Sequence, residues 1–130
     1  MRWLRVFSLV LMVSAGVAHA QMDGNLANDI AILEAALSPA LAAAKSGQQD
    51  ASSLAMEELY RQWRIFRRMN IEAYPDDPLL APDLDMIEAW LFEASQRIDA
   101  GNLSGASVEL EGARAALLVV RERHGIPPTG

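Results

Sequence analysis

Arg61, Arg64, Arg67 and Arg68 fall within eight positions of the stretch YRQWRIFRRMN, in a chain whose formal net charge is −6. Guanidinium groups at this density present planar forks that fit carboxylate or phosphate. Arg121, Arg123 and His124 form a second basic group near the C-terminus. Arg61, Arg64, Arg67, Arg68, Arg121 and Arg123 are therefore the candidate contacts for a small anion or for an acidic segment of a partner. The same residues have a structural reading. Cations near the C-terminal end of a helix are favoured by its dipole, by roughly 0.3–1 kcal/mol each. Glu57 and Arg61 stand four apart in the favourable order, and Asp76, Asp77, Asp83 and Asp85 are close enough to pair with the rest.

Catalysis finds little to work with. A nucleophile needs a base beside it, and after residue 20 the chain has a single histidine, His124, and no cysteine. Its carboxylate pairs (Glu57/Glu58, Asp76/Asp77, Glu109/Glu111) are adjacent or two apart, so they do not share a helix face. The Glu-x-x-His pairs of a di-iron bundle are absent. Met56, Met69 and Met86 are too scattered for a copper(I) site. No catalytic residue is assigned, and a non-enzymatic protein is expected.

The opening MRWLRVFSLVLMVSAGVAHAQ has two arginines, a short apolar run from Val6 to Val17, and Ala18-His19-Ala20 in the small-x-small form of a cleavage site. These are the parts of a secretory signal peptide. They predict cleavage after Ala20, a mature domain of residues 21–130, and a periplasmic location. Loss of Arg2 and Arg5 leaves nine cations against seventeen acids, a net charge of −8. So acidic a surface argues against nucleic acid as a partner, and no later segment reads as a membrane span. Without cysteine the domain must be held by core packing alone.

Apolar residues recur at spacings of three and four through four segments, which predicts helices. The first runs from about Asn25 to Lys45, with Pro39 expected to kink or divide it near Ser38. The second covers about Ala51–Ile71. The third starts near Asp83 and stops before Gly101. The fourth follows Ser104 as N-cap, with a Leu103–Val108 staple, and ends at Gly125. Four amphipathic helices with short connectors predict an all-α, antiparallel (up-down-up-down) four-helix bundle. Its core centres on Leu33, Leu59, Trp63, Phe66, Leu91, Ile98, Leu110 and Leu117.

His124 continues the stripe of the last helix after Leu117 and Val120, and Met22 precedes the first helix. In this layout, and in the style of its hairpin DAGNLSGASVELEGARAALLVVR, the chain resembles the small periplasmic b-type cytochromes of the four-helix-bundle kind. The resemblance implies haem or a metal ion held by His124 and Met22. The residues' own chemistry asks for no cofactor and makes His124 a helix-end cation.

Two features look outward. Phe92 falls off the apolar stripe of the third helix. Val108, Gly112, Ala115 and Val119 form a second, small-residue stripe on the fourth, and a helix apolar on two faces is often buried between neighbours. These five residues are the candidate surface for self-association or for an envelope protein partner. The reading is thus a small exported binding or accessory protein acting through its surface or as a homodimer, with haem or metal binding as the alternative.

Overall fold

The computed structural model describes residues 26–127; the segment 1–20, expected to be a signal peptide, and Met22 lie outside them. Helix α1 spans Leu26–Lys45, α2 Gln49–Ala73, α3 Leu80–Asp99 and α4 Leu103–Arg123. No strand occurs among the described residues. Cross-helix pairs run in opposite numerical directions on three seams: Glu34 with Arg121 and Lys45 with Glu111 on α1/α4, Trp63 with Glu88 and Arg67 with Asp85 on α2/α3, and Asp83 with Arg123 and Arg97 with Glu109 on α3/α4. Asn70 donates to Asp29 across α1/α2. The architecture is the antiparallel four-helix bundle that the periodicity predicts.

All eight of the residues expected to centre the core are buried. Trp63 has no exposed surface and stacks on Phe66 with ring centroids 5.8 Å apart. Truncating a side chain of this size to alanine costs roughly 3–5 kcal/mol.

The helix ends depart from expectation in instructive ways. Pro39 does not divide α1, which is helical from Leu26 through Lys45. Pro39 and Ala35 are both exposed, so the carbonyl left without an i+4 donor opens to water rather than to the core. Helix α3 begins at Leu80 rather than near Asp83 because Asp77 Oδ1 accepts from the amides of Leu79 and Leu80 (2.9 and 3.2 Å). Pro82 then falls in the first turn, where a missing N–H costs nothing. The N-cap of α4 is Asn102, whose side chain accepts from the Gly105 amide at 2.9 Å, and not Ser104, which lies inside the first turn. Val108 is 64% exposed, so the expected staple does not form.

Both predicted glycine stops are present. Gly101 and Gly125 have φ of 76° and 64°, and the following amides of Asn102 and Ile126 bond back to the carbonyls of Arg97 and Arg121, the Schellman pattern. Gln49 on α2 also donates to the Ile98 carbonyl at 2.7 Å, tying the start of α2 to the end of α3.

By length and composition α1 is apolar enough to cross a membrane, contrary to the sequence reading. In the bundle its stripe of Leu26, Ile30, Leu33 and Leu37 is buried, and Asp29 and Glu34 bind side chains of α2 and α4.

Helices α3 and α4 approach closely because Gly112 has no side chain. A Cβ there would stand 2.6 Å from two ring atoms of Trp90. Gly112 is therefore covered within the chain and does not belong to an outward stripe, a correction to its expected place on a partner surface. Gly112→Ala should destabilise the fold by about 1–3 kcal/mol through overpacking, despite a helix-propensity gain of about 1 kcal/mol. In a Trp90→Leu background the same change should become neutral or stabilising. Urea unfolding of the four variants of this cycle decides it.

Candidate functional site

Helix α2 carries four arginines on two flanks, and two of them, Arg61 and Arg67, are already engaged. Arg61 makes two hydrogen bonds to Glu58, from Nε at 3.0 Å and Nη2 at 2.7 Å. The partner is Glu58 and not the expected Glu57, since an i,i+3 geometry leaves both forks aligned. Gln62 also donates to Glu58. That bond first, and Arg61 second, hold the Glu58 carboxyl below the usual carboxylate range.

Arg67 crosses to α3. Its Nη2 donates to Asp85 at 2.6 Å, and its Nη1 lies 3.7 Å from Glu88 without a hydrogen bond. Glu88 in turn accepts from the indole N–H of Trp63 at 3.1 Å. Tyr60 packs half-buried on the same seam. Burial, then the charge of Glu88, pushes its hydroxyl above the ordinary value, so it remains a neutral donor well past neutrality.

The helix-dipole reading of these basic residues holds only in part. Helix α2 runs on to Ala73 and has no basic residue in its last turn, so the dipole does not account for its arginines. Arg123 and His124 do reach the start of α3: Arg123 bonds Asp83 at 2.7 Å and His124 Nε2 stands 3.3 Å from Asp77. The Tyr74 ring meets the His124 ring edge-on. Arg121 turns the other way, into the seam with α1, where it is 3% exposed beside Glu34. Its burial was not legible, because the flank it occupies is defined only once α1 is docked.

Arg64 and Arg68 remain. Both are exposed, and neither makes an ion pair or hydrogen bond among the described residues. Every other described cation is paired, including Lys45 and Arg114 with Glu111 and Arg97 with Glu109. Arg64 forms the ridge between two grooves. The larger, about 460 Å³, also has Glu57 and Asp99 in its lining, and with Arg61 neutralised by Glu58 it is no place for an anion. The shallower one, about 330 Å³, is lined by Arg64, Arg67, Arg68, Ile71, Glu72 and Glu88. There Arg67 and Glu88 answer each other, and two guanidinium groups face one remaining carboxylate.

The outward residues are not brought together. Phe92 is 53% exposed but shares its flank with Asp85, toward α2. Val108 and Val119 are 64% and 42% exposed on α4, with exposed Ala115 between them and Gly112 withdrawn under Trp90. Leu118, 48% exposed, is an apolar surface residue that the stripe reading missed. Among the described residues no cluster of three or more His, Asp or Glu side chains is arranged to hold a metal ion.

Glu111 links α1 to α4, and its carboxyl lies below the usual range, chiefly through the Lys45 hydrogen bond, with desolvation opposing and the Arg114 charge adding. A depressed folded-state value contributes stability above the unfolded carboxylate value and loses it as pH falls through the folded one. The thermal midpoint should therefore drop as pH falls below about 4.5, and Glu58→Gln with Glu111→Gln should flatten that acid limb. A double variant as acid-sensitive as the parent would contradict the assignment.

No protein-family model matches the chain, and no curated protein or solved structure is significantly similar to it.

Proposed function

We propose that this chain is a small exported, non-enzymatic binding protein that engages an acidic segment of an envelope partner through Arg64 and Arg68. The observation that carries the reading is their lack of a partner among the described residues, in a chain where acids outnumber cations, seventeen to eleven. Unpaired guanidinium groups one turn apart, with Ile71 beside them, suit a carboxylate-bearing segment that also presents an apolar residue. The rest of the surface is acidic and repels such a partner elsewhere, which orients the encounter.

Two other readings have less behind them. The stripe for a homodimer is broken at its centre, because Trp90 covers Gly112. The haem reading rests on His124, whose Nε2 is already directed at Asp77.

The test is a pull-down from the envelope fraction with residues 21–130 as bait, followed by titration of the recovered protein. Arg64→Glu with Arg68→Glu should weaken binding on the order of a hundredfold, since each charge-assisted contact is worth roughly 1.5–3 kcal/mol. Folding stability should change by no more than about 0.5 kcal/mol, because both side chains are exposed and unpaired among the described residues. Binding should also weaken between about 50 and 300 mM salt. Unchanged affinity in the folded double variant would sink the proposal.

A further inference from the structure

Helix α1 is apolar enough to cross a membrane, yet only 39% of its most apolar 18-residue stretch is buried in the bundle. The surplus looks outward. Asn28, Ile32, Ala35, Pro39 and Ala42 are exposed, and they recur at alternating steps of four and three, the spacing that keeps one seam facing a neighbouring helix. None of the five is charged. Ile32 is 45% exposed, and beside it on α2 stand Ile65 and Met69, 37% and 51% exposed.

Two grooves flank Ile32 and join the helices into one face. The larger, about 280 Å³, runs past Ala35 and Pro39 to Gln62. The smaller, about 40 Å³, lies among Ile32, Ile65 and Met69. The acids in these linings are engaged, Glu58 by Arg61 and Gln62 and Asp29 by Asn70. The exposed apolar patch is on the order of 300 Å², a size that on a monomer is often functional.

We infer that a second copy of this chain docks here, with α1 of one copy laid against α1 of the other about a two-fold axis near Ile32. Identical surfaces meet in a two-fold pair, so an uncompensated charge near the axis meets its own sign. Acids outnumber cations seventeen to eleven, and the Arg64/Arg68 face carries two unpaired cations, so those surfaces repel their own copies. The α1/α2 face does not. A bilayer is a poor cover for it, because Asp29, Glu58 and Arg61 would be drawn toward hydrocarbon. With Ile32 at the centre, Pro39 lies two turns away at the rim, and the Ala35 carbonyl that it frees keeps its water. The patch is smaller than the roughly 800 Å² that each partner of a stable complex contributes, so the dimer is reversible. It leaves Arg64 and Arg68 uncovered and is independent of their role.

The experiment is sedimentation of residues 21–130 from about 10 μM to about 1 mM. The average mass should rise from near one chain to more than about one and a half, as a dissociation constant near 100 μM requires. Ile32→Glu with Met69→Glu should weaken association about tenfold or more, with helix content by circular dichroism kept. Val108→Glu with Val119→Glu, which adds the same charge to the exposed apolar residues of α4, should leave it unchanged, as should Arg64→Glu with Arg68→Glu. Association should also persist between about 50 and 500 mM salt, since no charge pair holds the face; this readout needs no variant. A single-chain mass at 1 mM, a dimer that survives Ile32→Glu with Met69→Glu, a dimer dispersed by salt, or a monomer that instead floats with phosphatidylcholine vesicles would each overturn the inference.

Discussion

The indole N–H of Trp63 governs much of the surface. The ring is fully buried at the centre of the bundle, and a buried donor must be met. Glu88 of α3 meets it at 3.1 Å. A carboxylate placed there needs a cation, and Arg67, one turn along α2, is drawn toward Glu88 and Asp85. The largest side chain in the core thus fixes how α2 is rotated against α3. That rotation decides which arginines are consumed by the fold and which are left to face outward. Among the described residues Arg64 and Arg68 are left unpaired because Arg67 is the one that answers Asp85 and Glu88.

The bundle itself was legible from residue spacing, since burying a stripe every three or four positions is a demand that each helix makes on its own sequence. The stops at Gly101 and Gly125 were legible for the same local reason. The starts of α3 and α4 were not, because Asp77, Asn102 and Ser104 all have capping side chains and only the tertiary path of the loop selects among them. Pro39 misled because a proline breaks a helix least when its freed carbonyl faces solvent.

The candidate site was half visible. The arginine cluster announced itself, but apart from Arg61, which Glu58 meets locally, its division into paired and unpaired members depends on side chains eighteen to eighty-seven positions away, such as Asp85 for Arg67 and Glu34 for Arg121. Gly112 shows the same limit from the other side. A small residue on an outer stripe looks like room for a partner, until a neighbouring helix fills the room with Trp90.

Trp63 and Trp90 are the tryptophans of the described bundle, and they occupy unlike surroundings: one sealed in the core and tied to α3, the other laid half-buried over the α3/α4 seam. The molecule therefore carries two built-in optical reporters. Loosening the centre changes the environment of one indole, while parting the last two helices wets the other. Fluorescence of single-tryptophan variants can thus follow the core and the seam as separate events within one chain.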